Sequence, residues 1–240
     1  MQLALPVKVQ CRETVDHEWT EMSRLRDVTP FGARFTLKRP TEIGRLLHLT
    51  LPMPRPLRVF DHVEDQYRIW CIVRNLKLLD AVKEKGALLE IGVAFIGKRP
   101  PRNFESDPAQ RYDIAQSAGE MLWSVKDDAA DPKLIELPEP EQRKETRHIM
   151  PMEVLVEVFD EKGELSQREN TVTENLSSHG ASVFTSLLLS PGRFIKISSE
   201  QDRTWLWAVV RDLHTGADGI SRLHLEFIGK EWPLDSWSND

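Results

Sequence analysis

Short segments of the chain alternate between apolar and polar residues, as strands do when one face is buried and the other is solvated. These segments are rich in β-branched and aromatic residues, and turn sequences such as "DEKG", "SPG" and "TGADG" lie between several of them. They are "PVKVQCRE", "ALLEIGVAF", "MEVLVEVF", "RFIKISS", "TWLWAVVRDL" and "RLHLEFIG". Strands of this length at spacings of about 8 to 12 residues predict a small barrel or sandwich.

The strand pattern occurs twice in the same order, so the chain contains an internal repeat. The sequence "VTPFGA" aligns with "LSSHGA" at an offset of 148 residues, "IWCIVRNL" with "LWAVVRDL" at 137, and the two "FIGK" sequences at 132. Because the offsets only decrease, the first copy carries two insertions, near "PMPRPLRVFDHVEDQ" and "DAVKEKGA", both with the composition of loops. We therefore predict two tandem copies of one β-domain, over residues 1–98 and 142–240. Trp70 and Trp207 fall at equivalent strand positions, and we interpret them as core or rim residues.

The connector between the copies, residues 99–141, has a different pattern. Asp107 is a candidate N-cap and Pro108 a candidate first helical residue. Apolar side chains then recur at helical spacing, at Tyr112, Ala115, Ala118, Leu122 and Val125. We predict an amphipathic helix that packs on one of the barrels, followed by the acidic, proline-containing linker "KDDAADPKLIELPEPEQ".

The composition favours a cytoplasmic protein. Apolar residues make up 40% of the 240, charged residues 29%, and the mean hydropathy is -0.41. No run approaches the roughly 18 to 20 apolar residues that span a bilayer, so we expect no membrane insertion. The N-terminal apolar stretch is too short for a signal peptide and is interpreted as a first strand. Cys11 and Cys71 have no partner at metal-ligand spacing, which indicates two reduced thiols.

The charge distribution argues against a duplex DNA partner. The net charge of -6 divides into +4 over residues 1–98, -5 over the connector and -5 over residues 142–240. Proteins that bind duplex DNA usually carry a strongly basic face, which none of these segments provides. The chain also shows no nucleophile and base pairing and no metal-ligand spacing among its seven histidines, so we predict that it is not an enzyme and holds no cofactor.

One group of polar residues in the second copy carries a possible function. Arg143 and Arg147 lie four residues apart just before the first strand of this copy. After 27 intervening residues comes "NLSSHG", with Asn175, Ser177 and Gly180 at the end of a predicted strand. Two arginines at this spacing are weak evidence alone, but their position ahead of that strand and turn gives the group weight.

This combination, RxxxR followed by (D/N)xSxxG, resembles the signature of PilZ domains, six-stranded β-barrels that bind the bacterial second messenger cyclic di-GMP. The second copy matches both halves of the signature, whereas the first copy resembles only the second half, in "DVTPFG". The resemblance therefore implies an all-β-dominated fold of two tandem six-stranded barrels joined by the helical connector. It also implies a ligand site made of Arg143, Arg147, Asn175, Ser177 and Gly180.

The chemistry of these side chains suits that ligand. An arginine fork can meet the O6 and N7 acceptors of a guanine, stack on its face, or pair with a phosphate. An asparagine amide and a serine hydroxyl add short-range donors and acceptors, and a glycine allows close backbone approach. We therefore expect Arg143 and Arg147 to clamp the nucleotide over the turn that holds Asn175 and Ser177.

The first copy is expected not to bind the nucleotide, because the equivalents of Arg143 and Arg147 would precede Met1. A motif-free barrel followed by a binding barrel is similar to the layout of flagellar-brake proteins, which suggests a receptor that acts on motility or surface behaviour through an unidentified protein partner. We expect ligand closure over residues 141–150 to reorient the two domains. The alternative is a ligand-independent scaffold in which both barrels are interaction modules and the connector helix mediates assembly.

Overall fold

A computed structural model describes residues 5–79, 88–116, 123–126 and 151–234. Six antiparallel strands of the first half form a closed barrel in the order β1-β2-β3-β6-β5-β4. These strands are β1 (Pro6–Thr14), β2 (His17–Thr29), β3 (Gly32–Leu37), β4 (Leu46–Leu51), β5 (Tyr67–Leu79) and β6 (Leu88–Gly97). A short 3-10 turn, η1 (Arg55–Leu57), lies in the loop between β4 and β5.

The second half forms a closed barrel with the same circular order of equivalent strands. Two short paired strands, β7 (Ile114–Gln116) and β8 (Trp123–Val125), precede it in the chain. The barrel strands are β9 (Glu153–Phe159), β10 (Leu165–Leu176), β11 (Gly180–Thr185), β12 (Phe194–Ser199), β13 (Thr204–Thr215) and β14 (Ser221–Ile228). The expectation of two tandem six-stranded barrels is therefore confirmed.

Alternation along each strand fills the two barrels. In β1, Val7, Val9 and Cys11 point into the first core, and the matching positions of β9 are valines that point into the second. Full burial of one such side chain contributes about 1.5 to 3 kcal/mol, so the strand pattern is also the main source of stability. Cys11 and Cys71 are both unpaired core thiols, and burial raises the pKa of Cys11 to about 12.

The two barrels share local features beyond their strand order. Phe95 donates its backbone N–H to the Phe31 carbonyl in the first barrel, and Phe227 donates to His179 in the second. The ladder between the second and third strands of each barrel also shifts register near its end, as a β-bulge does. Matches of this kind show that the aligned sequences fold into the same local structure.

The prediction of an amphipathic helix is wrong for the described part of the connector. Ile114–Gln116 and Trp123–Val125 are antiparallel strands, and Asp107 lies in a turn instead of at a helix N-cap. Tyr112 is buried, donates its backbone N–H to the Gly44 carbonyl, and packs in a cluster on the outside of the first barrel. Tertiary packing therefore overrides the helical spacing.

The reason is an apolar patch that both copies carry on the outer face of their fourth, fifth and sixth strands. In the first barrel the patch includes Leu46, Trp70 and Ile72, and the connector covers it. In the second barrel the equivalent patch packs against the first barrel. Its members are Phe194, Trp207, Val209 and Ile228. Both tryptophans are half-buried on this outer face, so the interpretation of core or rim residues is wrong for both.

Buried ion pairs surround that apolar contact. Arg193 donates to a carboxylate oxygen of Glu13 at 3.2 Å, and burial raises the pKa of Glu13 against the opposing effect of Arg193. Glu42 pairs with Arg45 of its own barrel and with Arg211 of the second barrel. The two barrels therefore meet through charged groups that are costly to leave unpaired.

The larger insertion of the first copy is an ordered loop, as predicted. Arg58 is buried at its centre and donates to the carbonyls of Met53 and Asp65 at 2.8 Å, and to that of Glu64. The smaller insertion falls on residues outside the described ranges. Within those ranges, no helix has the length and apolar character needed to span a bilayer.

Candidate functional site

The turn between β10 and β11 brings together three of the five predicted site residues. Asn175 and Ser177 lie at the end of β10 and just after it, and Gly180 is the first residue of β11. A register shift between Thr173 and Asn175 leaves Glu174 as an extra residue in the bulge. The bulge bends the strand end, so Asn175 comes to lie opposite Ser182.

The Ser177 hydroxyl is occupied within the turn. It donates to the Gly180 carbonyl and accepts the Gly180 N–H, both at 3.2 Å, and the side chain is nearly buried. Thr29 makes the same kind of contacts in the first barrel, with the carbonyl of Gly32 at 3.3 Å and the N–H of Phe31 at 3.2 Å. The replacement of Ser by Thr therefore preserves the hydroxyl that holds the turn.

Gly180 is required by a close approach of the neighbouring strand. A Cβ at this position would overlap the Leu225 carbonyl oxygen of β14. Gly32 faces the equivalent overlap with the Val93 carbonyl of β6. Both copies need glycine for packing, so this position has a structural role whatever the turn binds.

Asn175 begins a row of outward-facing side chains that crosses four strands. It is half-buried and lies opposite Ser182, which lies opposite His224, which in turn lies opposite Asp212. Within the part of the chain that the structure describes, the Asn175 amide makes no side-chain hydrogen bond. Its donor and acceptor are therefore open to a ligand as far as those residues are concerned.

Sequence reasoning missed a charged cluster beside this row. Glu174 accepts from Arg222 at 2.8 Å and from Ser182 at 3.0 Å, and the hydrogen bond from Arg222 holds the pKa of Glu174 below its usual value. Arg222 also pairs with Asp218 and lies over the ring of Phe184. Glu174 lies directly before the motif, but its partner is on β14, 48 residues away, so spacing along the chain gave no signal.

Arg143 and Arg147 lie outside the described residues. The chain that follows them is fixed at Met152, whose N–H donates to the Thr173 hydroxyl and whose carbonyl accepts from the Thr173 N–H, both at 3.0 Å. Thr173 is only two residues before Asn175. The segment that carries the arginines therefore joins the barrel next to the predicted site.

A groove of about 620 Å³ on the outer face of β9, β10 and β12 is a separate feature. Its lining includes Glu153 and Glu200, and it includes none of the three predicted site residues that the structure describes. Two carboxylates at its edge would repel an anionic phosphate, so the groove is a poor candidate for a nucleotide diester.

The second barrel thus combines a closed six-stranded sheet with a bulged strand end and a turn closed by a serine. Residues 141–231 match the family model described as the PilZ domain. The C-terminal barrel of this chain is therefore a PilZ domain, and the resemblance seen in its sequence is confirmed. The first barrel repeats the same topology.

Matches to solved structures cover nearly the whole chain at low similarity. The PlzA protein of Borreliella burgdorferi in complex with c-di-GMP has 11% identity and a TM-score of 0.30, covering 98% of this chain and 85% of its own. The inhibitor of motility MotI/DgrA of Bacillus subtilis has 14% identity and a TM-score of 0.30, covering 95% and 88%. YcgR of Escherichia coli in complex with c-di-GMP has 10% identity and a TM-score of 0.29, covering 94% and 76%.

These TM-scores are too low to support an argument about ligand or partner. The search of curated proteins found no match. The family assignment therefore depends on the match of residues 141–231.

Proposed function

We propose that this protein is a receptor for cyclic di-GMP, and that its PilZ domain binds the nucleotide through Arg143, Arg147, Asn175, Ser177 and Gly180. The observation that carries the proposal is the family match over residues 141–231, which includes both halves of the signature. It is supported by the position of Asn175 and Ser177 beside the strand where the arginine segment joins the barrel.

Chain geometry is compatible with a clamp. Arg147 precedes Met152 by five residues, so its backbone lies within about 18 Å of that anchor. The arginine side chain extends this reach toward the end of β10. Two guanidinium groups there would pair with phosphate or guanine acceptors, while the open amide of Asn175 meets a base edge.

The turn residues take more limited roles in the proposal. The Ser177 hydroxyl already makes two contacts in the turn, so it has one lone pair left for a ligand. Gly180 keeps β11 close to β14 and thereby sets the shape of the surface beneath the nucleotide. The arginines and Asn175 would then provide most of the affinity.

The proposal is tested by calorimetric titration of the full chain with cyclic di-GMP. The double variant Arg143→Ala/Arg147→Ala should lose at least about 100-fold in affinity, since each charge-assisted contact contributes about 1.5 to 3 kcal/mol. Arg168→Ala is the matched control, because Arg168 is an exposed arginine of β10. This variant should bind the nucleotide as tightly as the wild type. Asn175→Ala should weaken binding about tenfold, whereas Asp27→Ala at the equivalent position of the first barrel should not. Unchanged affinity of the double variant would contradict the proposal that the two arginines clamp the nucleotide.

The second part of the proposal concerns the output. Ligand binding would order the segment between the connector and β9 and reorient the two barrels. An unidentified protein partner in motility or surface-behaviour machinery would then bind the new arrangement. Any reorientation has to break or slide the contacts of Glu13 with Arg193 and of Glu42 with Arg211. The ligand can drive it only by its differential affinity for the two arrangements.

Small-angle X-ray scattering of the full chain checks this second part. A change in the scattering profile on saturation with cyclic di-GMP is expected if the barrels move relative to one another. Superimposable profiles with and without bound nucleotide would contradict the reorientation and would leave the binding proposal intact.

A further inference from the structure

The hairpin of β13 and β14 places two imidazoles and a carboxylate on one outer face of the second barrel. Asp212 and His214 are two residues apart on β13, so they point to the same side. A register shift at Arg211 sets Asp212 directly opposite His224 of β14. Leu213 and Leu223 point the other way, into the core cluster.

The three side chains are close enough to share one ion. Their potential ligand atoms all lie within 4.8 Å of one another. The Nδ1 of His214 is 3.7 Å from a carboxylate oxygen of Asp212, and the two imidazole centroids are 4.7 Å apart. Asp212 and His214 are exposed and His224 is half-buried, so solvent reaches the group.

The ligand set fits a transition metal of the zinc type. Zn²⁺ takes imidazole nitrogen and carboxylate oxygen at about 2.0 to 2.2 Å, which places ligand atoms of a tetrahedral site about 3.4 Å apart. Rotation of exposed side chains between nearby rotamers is enough to close the difference from 4.8 Å. Two nitrogens and one oxygen leave a fourth position for water, whereas Mg²⁺ and Ca²⁺ prefer sites made of oxygen alone.

Among the residues that the structure describes, the charge beside the group does not oppose a cation. Arg222 lies opposite His214 in the ladder and is the nearest arginine on that face of β14. Its guanidinium is held by Asp218 at 2.7 Å and by Glu174 at 2.8 Å, so its charge is neutralised by two carboxylates. Asp212 then provides a negative charge for the incoming ion.

From this geometry we propose that Asp212, His214 and His224 form a binding site for one divalent transition-metal ion, with Zn²⁺ as the best fit. The site lies on the same outer face as Asn175, and its nearest member, His224, is two strands from Asn175, a distance of about 10 Å at normal strand spacing. A bound ion would join β13 to β14 near the turn that connects the two strands. Because it binds the folded state, it would also raise the melting temperature of the protein.

The test is calorimetric titration of the full chain with Zn²⁺ in a buffer that does not chelate metal. We expect one ion per chain in the wild type, and at least about a tenfold loss of affinity in both His214→Ala and His224→Ala. His62→Ala, which removes an exposed histidine from the loop between β4 and β5, is the matched control and should bind as the wild type does. Titration with Mg²⁺ should show no binding to the Asp212 site.

The variant Asp212→Asn distinguishes loss of a metal ligand from loss of folding, because it keeps the size of the side chain and removes only its charge. It should weaken Zn²⁺ binding while its melting temperature in the presence of EDTA equals that of the wild type. Absence of binding by the wild type, or the same affinity in the wild type and both histidine variants, would overturn the proposal. The second result would show an adventitious ion held elsewhere on the chain.

Discussion

At the scale of single residues, the turn between β10 and β11 combines a structural requirement with a proposed binding role. Ser177 closes the turn through its hydroxyl, and Gly180 makes room for the Leu225 carbonyl. The same arrangement exists in the first barrel with Thr29 and Gly32. This half of the signature therefore encodes the shape of the turn.

The structural role of Gly180 leads to a prediction about stability. Gly180→Ala should reduce the free energy of unfolding by about 1 to 3 kcal/mol, because the new methyl group forces β11 away from β14. Gly92→Ala in β6 is the matched control, since its Cβ would meet only the Asn75 side chain at 3.4 Å. The control should change stability by less than about 0.5 kcal/mol. Urea denaturation without nucleotide measures both, and equal stabilities would contradict the packing argument.

At the scale of elements, the fourth, fifth and sixth strands of each barrel form an apolar patch on its outer face. Another part of the chain has to bury each patch from water. The connector covers the first patch, and the first barrel covers the second. A connector that follows the sheet surface in an extended conformation covers a flat patch, and its residues become short strands. The described connector residues form strands and no helix. The alternative hypothesis, in which a connector helix mediates assembly, therefore has no support from these residues.

The patch predicts that the connector stabilises the first barrel. Tyr112→Ala should lower the free energy of unfolding by about 2 to 4 kcal/mol, because it removes a buried ring from the cluster with Leu46 and Phe104. Ser124→Ala, at an exposed position of β8, should have little effect. Chemical denaturation followed by tryptophan fluorescence measures the difference. A Tyr112→Ala protein as stable as the wild type would show that the connector is only loosely attached.

At the scale of the whole molecule, the two barrels meet through a charged interface whose protonation depends on pH. His17 lies beside Glu13, with 3.8 Å between the ring nitrogen and a carboxylate oxygen. Burial lowers the pKa of His17 to about 4, and the positive charges of Arg193 and Arg39 act in the same direction. Arg193 comes from the second barrel, so the protonation of His17 is linked to the contact between the barrels.

The sign of the pH effect follows from that pKa. The folded protein binds fewer protons at His17 than the unfolded chain, whose imidazole pKa is near 6.5. The contribution to stability is therefore complete above about pH 6.5 and is lost as the pH falls toward 4. Compared with His17→Gln, the wild type should lose about 1 to 2 kcal/mol more over this range. Denaturation curves at pH 7, 5.5 and 4 measure it, and parallel pH profiles would contradict the linkage.

The sequence by itself determined the repeat, most of the strands and the turn that holds Asn175, Ser177 and Gly180. These features depend on alternation and on contacts between near neighbours, which a linear pattern records. The tertiary structure decided what the pattern could not express. Connector residues 114–116 and 123–125 became strands because of an apolar patch formed far away in the chain.

Partners that are distant in sequence account for the other differences. Arg193 pairs with Glu13 from the other barrel, Glu174 pairs with Arg222, and Asp212 lies opposite His224 because of a bulge in β13. Such groups meet because barrel closure and packing between barrels fix their positions, and no spacing along the chain encodes that meeting. The sequence therefore determined which local structures form, whereas the closure of each barrel and the packing of one barrel against the other decided which charged groups share a surface.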